Sequence, residues 1–290
     1  MVQRSHSELR KEFRALLNGS VCFNAASVFD PISVRMATDL GYQVSILGGS
    51  VASLQVLGAP DLSLITLDEF AEQASRVGRA SQIPVIADAD HGYGNALNVM
   101  RTVTELQKAG VAALTLEDTL LPKQYGTRIG TLIDLEEASA KIYAARFARS
   151  DDALSIIART DAAATTLEDS IQRTTAYQAA GADAICFVGV KDFKHLKALT
   201  AHLTIPIMLI TYGNAELNEL ERLSEANVRV VINGHKPYLA TIKAAYDALR
   251  IDCGQESQDL SIQQLLSKYT LAESYSEWVR TYLKAGRVIQ

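Results

Sequence analysis

Acidic side chains directly follow two apolar segments near the middle of the sequence. Asp88 and Asp90 come at the end of the run Pro84–Ala87, and Glu117 follows the run Ala112–Leu116. Two residues apart on an extended chain, Asp88 and Asp90 point to the same side. A set of carboxylates without His or Cys favours Mg2+ or Mn2+ as the bound ion. These three acids therefore predict a divalent-metal site. The alternative is that they cap helices or pair with basic residues.

Residues that suit a carboxylate substrate end other apolar runs. Arg159 offers a planar guanidinium for a substrate carboxylate, although a structural salt bridge to Glu117 or Asp161 explains its position equally well. His235 is placed to donate a hydrogen bond to a substrate oxygen. Tyr212 is a candidate proton donor or orienting hydroxyl, with simple packing as the alternative.

A glycine pair follows the second apolar run. Gly48 and Gly49 lack a Cβ, so backbone N–H groups there can approach an anion, and Ser50 adds a hydroxyl. This pattern predicts a substrate-binding segment at Gly48, Gly49 and Ser50. A plain tight turn is the alternative.

The longest connection after a run is Thr119–Ile133, which carries Lys123 and Arg128 with Gly126 and Gly130 as possible hinges. A lid that closed here would exclude water and bring positive charge to an anionic substrate. An exposed basic loop is the alternative interpretation.

Eight nearly continuous apolar runs organise the chain. Burial on both faces, which such runs indicate, is typical of parallel strands covered by helices. Amphipathic stretches such as Leu67–Ala80, Ala96–Lys108, Glu168–Ala180 and Ala215–Ala226 lie between them. The runs are Val21–Val28, Gln43–Leu47, Pro84–Ala87, Ala112–Leu116, Leu154–Ala158, Ala184–Val188, Pro206–Ile210 and Val228–Ile232.

Eight strands with alternating helices predict an α/β fold, a (β/α)8 TIM-type barrel of one domain over residues 1–290. The barrel is expected at about 21–252, after an N-terminal helix. A helical tail is expected at about 259–286, with helices near Leu260–Leu266 and Leu271–Leu283 that pack on the barrel or on another subunit. Two tandem doubly wound domains are the alternative, but no linker divides the chain and no Gly-x-Gly-x-x-Gly follows the first run.

Composition narrows the partners and the compartment. The formal charge of −5 gives no attraction to nucleic acid or to an anionic membrane, so a small molecule is the expected partner. No apolar run approaches the roughly 20 residues of a membrane helix, and residues 1–20 do not resemble a secretory signal. Three widely spaced cysteines favour reduced thiols. A cytoplasmic protein is expected.

The motifs at the strand ends resemble the isocitrate lyase and phosphoenolpyruvate mutase superfamily. They are GGS (48–50), ADADHGYGN (87–95), LEDT (116–119) and ARTD (158–161). Further segments are most similar to its oxaloacetate decarboxylase branch: SHSELRKEFRALL (5–17), TYGN (211–214), NGH (233–235) and KYTLAESY (268–275). The resemblance implies a Mg2+-dependent enzyme acting on 2-oxo or 2-hydroxy dicarboxylates. It also implies a homotetramer, a dimer of dimers, whose C-terminal helix is exchanged between subunits.

Roles for single residues follow from the same resemblance. By position, Asp88 would contact the metal, while Asp90 and Glu117 would hold its waters. Asp61, in the segment GAPD, resembles a further carboxylate near the metal. The residues that would bind substrate are Ser50, Arg159 and His235.

One departure from the superfamily pattern separates the candidate activities. The lyases of this superfamily carry a lid cysteine that serves as acid and base, and the corresponding segment here, PKQYG (122–126), has none. Decarboxylation of oxaloacetate to pyruvate and CO2, through a metal-stabilised enolate, needs no such base and is the expected reaction. The alternatives are a carbon–carbon lyase of the methylisocitrate or dimethylmalate type and a non-catalytic barrel that binds 2-oxo acids.

Overall fold

Nine short parallel strands form one nearly closed barrel in the computed structural model, which describes residues 4–255 and 259–284. The hydrogen-bonded order is β1-β9-β8-β7-β6-β5-β4-β3-β2. The predicted TIM-type barrel is therefore confirmed. The strands are β1 (Phe23–Asn24), β2 (Ala26–Ser27), β3 (Ser45–Leu47), β4 (Val85–Asp88), β5 (Ala113–Glu117), β6 (Ser155–Asp161), β7 (Ala184–Val188), β8 (Ile207–Ile210) and β9 (Val228–Ile232).

The first strand is divided into two short strands, which pair with opposite ends of the sheet. The sequence predicts one strand over Val21–Val28, but the structure has β1 paired with β9 and β2 paired with β3. The N–H of Ala25 donates to the carbonyl of Val231 at 2.8 Å, whereas the N–H of Ala26 donates to Val44 at 3.0 Å. The chain thus changes its hydrogen-bonding partner between adjacent residues. This change gives the ninth strand, where eight were expected.

Helices alternate with the strands and begin at strong caps. Thr66 accepts a hydrogen bond from the N–H of Glu69, and Asn95 accepts from Leu97 and Asn98, as N-cap residues do. The helices are α1 (His6–Asn18), α2 (Pro31–Asp39), α3 (Gly49–Ala52), α4 (Leu67–Ala80), α5 (Ala96–Lys108), α6 (Leu135–Ala148), α7 (Leu167–Ala179), α8 (Phe193–Thr200), α9 (Leu220–Glu225), α10 (Lys236–Asp252), α11 (Ile262–Tyr269) and α12 (Ala272–Leu283).

The amphipathic stretch predicted over Ala215–Ala226 is not one helix. A short 3-10 turn covers Ala215–Leu217, and α9 begins only at Leu220. The N–H of Leu217 donates to the carbonyl of Asn214 at 3.1 Å, the tighter spacing of a 3-10 turn. Apolar periodicity alone does not register this change of helix type.

Helix α1 lies across the amino-terminal end of the barrel. Phe13 and Leu17 are buried in the same cluster as the inward side chains of the strands. The guanidinium of Arg14 donates to the carbonyls of Ala153 and Leu154, just before β6 begins. Because α1 covers this end, the carboxyl-terminal end of the strands is left for a site, as in other barrels of this type.

The predicted tail forms two helices, α11 and α12, close to the expected positions; residues 285–286 of the expected range lie outside the described part of the chain. Leu265 of α11 is buried, while Trp278 and Tyr282 of α12 are exposed. The exchange of this helix between subunits stays a prediction. Within residues 4–255 and 259–284, no helix is both long and apolar enough to span a membrane.

Candidate active site

A solvent-open cleft of about 220 Å3 lies at the carboxyl ends of the strands. Asp88 and Glu117 end β4 and β5, and Arg159 projects from β6 beside them. The barrel thus brings together residues that are far apart in the sequence. The predicted site residues that line this cleft are Ser50, Asp61, Asp88, Asp90, Glu117, Arg159, Tyr212 and His235.

Arg159 joins two of the acids. Its Nη1 donates to both carboxylate oxygens of Asp88 at 3.0 and 2.9 Å, and its Nη2 lies 3.1 Å from Oε2 of Glu117. The salt bridge to Glu117, left open by the sequence, is therefore present. The alternative partner Asp161 instead accepts a hydrogen bond from the N–H of Ala163 at 2.8 Å. A guanidinium carries five N–H donors, so Arg159 retains donors beyond these pairs.

The carboxyl groups shift one another's pKa values because one guanidinium is shared among them. Burial raises the pKa of Asp90 well above its usual value, and repulsion from Asp88, Asp61 and Glu117 adds to the shift. Burial also raises the pKa of Glu117, although Arg159 opposes the change. For Asp88, burial is outweighed by the charge of Arg159 and the hydrogen bond from Thr115, so its pKa is lowered.

This excess of negative charge fits a divalent cation. Asp61, Asp88, Asp90 and Glu117 provide only oxygen donors, the ligands that Mg2+ and Mn2+ take. Among residues 4–255 and 259–284, no three His, Cys, Asp or Glu side chains converge closely enough to ligate one ion directly. Mg2+ commonly keeps several waters and uses one or two carboxylates. One direct ligand with water-mediated neighbours is therefore the arrangement that these residues suit.

His235 lies against the second strand and the glycine pair. Its Nδ1 is 2.7 Å from the hydroxyl of Ser27, the last residue of β2. A Cβ on Gly48 would lie only 2.4 Å from Cε1 of this ring. Burial lowers the pKa of His235, and the effect of Arg159 adds to it, while Asp88 opposes both. The ring is thus held in one place, with its neutral form favoured.

Gly48 and Gly49 begin a helix and do not form a tight turn, and their binding of substrate stays a prediction. Gly48 is the N-cap of α3, and Gly49 is the first residue of that helix. A Cβ on Gly49 would lie 2.5 Å from Oδ1 of Asp90. The physical reason for both glycines is therefore close packing against His235 and Asp90. Ser50, one residue further along α3, lines the cleft.

Tyr212 lies at the mouth of the cleft, after β8. It has a left-handed backbone with φ of 49° and is 65% exposed. The adjacent Thr211 donates from its hydroxyl to Oδ1 of Asn233 at 2.5 Å, which ties the ends of β8 and β9 together. The strain of a positive φ at a non-glycine residue is typical of functional positions.

The connection 119–133 is held together by a hydrogen bond at its base, and its tip contacts the C-terminal helix. The N–H of Leu120 donates to the carbonyl of Thr131 at 2.8 Å, and Thr119 and Leu121 line the cleft. Lys123 donates to the carbonyl of Thr127 within the same loop, so its ammonium is used there. The N–H of Gly126 donates to the carbonyl of Leu283, the last residue of α12, at 2.9 Å. The tip of the predicted lid thus contacts the tail.

Several residues of this region were missed from the sequence. Ser27 contacts His235, and Thr115 donates a hydrogen bond to Asp88. Ser63 lines the cleft. Small hydroxyl residues at strand ends give no distinctive signal, although Thr115 precedes Glu117 by the two residues that place side chains on one face. Asp118 points away from the cleft, as expected from this alternation, and accepts a hydrogen bond from Tyr177 at 2.6 Å.

Comparisons with known proteins agree with this geometry. Residues 13–251 match the family model described as phosphoenolpyruvate phosphomutase. Oxaloacetate decarboxylase 2 of Pseudomonas fluorescens (strain Pf0-1) is 71% identical over 98% of both chains. Oxaloacetate decarboxylase of Pseudomonas aeruginosa (strain LESB58) is 60% identical over 98% of this chain and 99% of its own.

Among solved structures, a phosphonopyruvate hydrolase complex with oxalate and Mg2+ superimposes with a TM-score of 0.76 at 26% identity, covering 96% of this chain and 99% of that one. A 2,3-dimethylmalate lyase superimposes with a TM-score of 0.73 at 28% identity, covering 97% and 99%. The family model covers most of the barrel, and the relatives match over nearly their whole length. The chain therefore belongs to the phosphoenolpyruvate mutase family, in the superfamily that its strand-end motifs resemble.

Proposed function

We propose that the protein is a carboxy-lyase that converts oxaloacetate to pyruvate and CO2 with the help of a bound Mg2+. The observation that carries the proposal is the cup of carboxyl groups beside Arg159 and His235 at the open end of the barrel. A cation complements the negative charge of the carboxyl groups, and a 2-oxo dicarboxylate complements the donors Arg159 and His235. Relatives of 59–71% identity, named oxaloacetate decarboxylase, support the assignment.

The metal is assigned to the acidic half of the cleft. Asp88 would contact the ion directly, while Asp90 and Glu117 would hold its waters. A carboxylate has about four lone-pair sites, so Asp88 can keep its pair with Arg159 and still ligate. When bound, the cation supplies Lewis-acid stabilisation of the negative charge that develops on the 2-oxo oxygen. Mn2+ fits the same oxygen donors.

The chain's own residues orient the substrate. Arg159, His235 and the Ser50 segment fix the substrate carboxylates, with His235 donating from Nε2 because Nδ1 faces Ser27. Breaking the C3–C4 bond releases CO2 and leaves its electron pair in an enolate, which donors placed in advance stabilise. Protonation at C3 then gives pyruvate. Tyr212 at the mouth, or a water there, supplies this proton.

Two features of the molecule bear on its assembly and location. Trp278 and Tyr282 of α12 present exposed aromatic rings. We infer from them, together with the resemblance, a homotetramer, a dimer of dimers, in which α12 is exchanged between subunits; the cytoplasmic location is inferred from the sequence alone. Light scattering coupled to size-exclusion chromatography gives the mass that checks this inference.

Pyruvate formation from oxaloacetate tests the function directly. The rate is measured with and without Mg2+ or Mn2+, after subtraction of the metal-catalysed background. Wild-type protein is expected to show a metal-dependent rate and Asp88→Ala none. Asp152→Ala, at a fully exposed aspartate, is the matched control and is expected to behave like wild type. Equal rates for wild type and Asp88→Ala would overturn the proposal.

A panel of branched 2-hydroxy diacids separates decarboxylation from the lyase reaction suggested by the 2,3-dimethylmalate lyase fold match. Release of glyoxylate, pyruvate or another 2-oxo acid from one of these diacids would favour the carbon–carbon lyase. Tight oxalate binding without turnover of any substrate would favour a binding barrel.

A further inference from the structure

A second polar cluster lies behind the cleft, between the barrel wall and the helices that cover it. Glu117 and Asp118 reach it from β5, and Arg159 reaches it from β6. Lys141 of α6 and Tyr177 of α7 close it from the outside. Glu117 and Arg159 therefore border both this cavity and the proposed substrate site.

Three polar groups around this cavity lack partners among the described residues. Lys141 is only 5% exposed, and its ammonium makes no hydrogen bond or ion pair with any residue of the described part of the chain. Oδ1 of Asp118 and Nε of Arg159 are buried without a hydrogen-bond partner in the same part. Burying polar atoms without a partner is costly, and this cost falls on Oδ1 of Asp118 and Nε of Arg159. An ordered water removes this cost where space permits.

The space permits one water. The cavity between Glu117, Asp118, Lys141 and Tyr177 has room for a single water molecule. A single water can accept from the Lys141 ammonium and from Nε–H of Arg159, and can donate to Oδ1 of Asp118. These three hydrogen bonds satisfy all three orphaned groups at once.

Asp118 is fixed more firmly than the other two groups. Its Oδ2 accepts from the hydroxyls of Tyr177 at 2.6 Å and Thr160 at 2.9 Å, and lies 3.4 Å from Nη1 of Arg173. Its Oδ1 is therefore a rigid acceptor facing the cavity. A water bound there would restrict the Arg159 guanidinium, whose ion pairs within residues 4–255 and 259–284 are those with Asp88 and Glu117.

We propose that Lys141 is a positioning residue, joined through one buried water to Asp118 and Arg159, that sets the orientation of Arg159 and Glu117 in the cleft. Its positive charge interacts first with the carboxylate of Glu137 on the same helix, and then with those of Glu117 and Asp118. Lys141 acts from outside the barrel and does not touch the substrate. The kinetic consequence rests on the proposed decarboxylation, whereas the water itself does not.

Replacement of Lys141 by Met and by Gln separates positioning from a merely structural role. Loss of an outer partner of a metal site typically costs about 10–100-fold. We expect Lys141→Met to lower kcat/KM for oxaloacetate by about that factor, with kcat reduced and KM raised. Gln keeps an N–H donor for the water, so Lys141→Gln is expected to lose less. The unfolding temperature of each variant is measured in parallel, so that a loss of kcat/KM in a folded enzyme is distinguished from a loss of folded protein.

A lysine outside the site provides the control. Lys108→Met, on the exposed face of α5, should leave kcat and KM unchanged. Wild-type kinetics in Lys141→Met would overturn the proposal. Equal losses in the Met and Gln variants would also overturn it, since the charge alone would then matter.

A crystal structure at a resolution that shows ordered waters decides the remaining part. Electron density for one water between Lys141, Asp118 and Arg159 is expected, and a dry cavity would overturn the proposal even if Lys141→Met fails to fold. If wild-type protein does not decarboxylate oxaloacetate, the proposed function fails. The crystal structure still decides the water in that case.

Discussion

The hydroxyl of Ser27 lies 2.7 Å from Nδ1 of His235, and this contact joins the second strand of the barrel to the segment between its last strand and α10. Donation from this hydroxyl to Nδ1 leaves the proton of the neutral imidazole on Nε2, because one ring nitrogen sets the state of the other. Nε2 is then the donor available to the substrate. The proposed mechanism therefore requires the Ser27 hydroxyl to be the donor in this pair.

Ser27→Ala should weaken catalysis moderately. One hydrogen bond of this kind contributes about 1 kcal/mol, which corresponds to about a fivefold loss. We expect a loss of that size in kcat/KM for oxaloacetate, measured by steady-state kinetics. Ser53→Ala is the matched control, because Ser53 is buried and its hydroxyl has no partner among the described residues. A Ser27→Ala enzyme as active as wild type would contradict the assigned role of this contact.

Gly48→Ala should disable the site through His235. The new Cβ would lie 2.4 Å from Cε1 of the ring, a distance that the ring can accommodate only by moving. We expect at least about a tenfold loss in kcat/KM, since misplacement of a positioned group by about 1 Å can cost far more.

A double-mutant cycle isolates this effect. In a His235→Ala background the ring is absent, so adding Gly48→Ala should cost little further activity. Full additivity of the two losses would show that Gly48 acts by some route other than His235.

The arrangement of strands and acids was predictable, but the contacts between distant segments were not. Asp88 and Asp90 stand at the end of a continuous apolar run, so their place at the barrel mouth follows from local pattern. The partner of Arg159 did not follow, because Glu117 and Asp161 suit it equally by charge and only the parallel pairing of β5 with β6 brings Glu117 opposite.

The break in the first strand also depends on pairing with distant strands, and it changes the direction of the side chains that follow it. Side-chain direction along a strand alternates only while the strand is continuous, and the change of partner at Ala25 and Ala26 interrupts that alternation. The direction of Ser27 could therefore not be assigned from the sequence, and neither could its contact with His235. The close packing of Gly48 against the imidazole ring of His235 could not be predicted either, because the two residues lie far apart in the sequence.

Asp90→Asn should stabilise the protein without metal and weaken its response to metal. Asp90 is 7% exposed, and its carboxylate is repelled by three others. Removing this repulsion at pH 8 is expected to raise the unfolding temperature by about 2–6 °C, which corresponds to about 1–2 kcal/mol. The further rise on adding Mg2+ should shrink, because a ligand stabilises in proportion to its affinity. Scanning calorimetry with and without Mg2+ measures both.

The control for this prediction is another buried aspartate with different surroundings. Asp118 is hydrogen-bonded by Tyr177 and Thr160, so Asp118→Asn should lower the unfolding temperature. A lower unfolding temperature for Asp90→Asn with an unchanged response to Mg2+ would contradict the repulsion among the four acids.

His91 makes the fold sensitive to acid. Burial lowers its pKa to about 4, and the charge of Lys141 adds to this shift. An unfolded histidine titrates near 6.5. Between this pH and about 4, the unfolded chain therefore binds a proton at His91 that the folded protein does not bind. The stability contributed by neutral His91 is fully present above pH 6.5 and is lost as the pH falls toward 4.

His91→Gln removes this titration and should flatten the fall in unfolding free energy between pH 6.5 and 4.5, as measured by urea denaturation at several pH values. The difference between the two proteins is informative because carboxyl groups elsewhere titrate in both. His202→Gln makes the same substitution at an exposed position of the same chain and should leave the wild-type slope intact. Parallel profiles for wild type and His91→Gln would mean that His91 accepts its proton in the folded barrel as readily as in the unfolded chain.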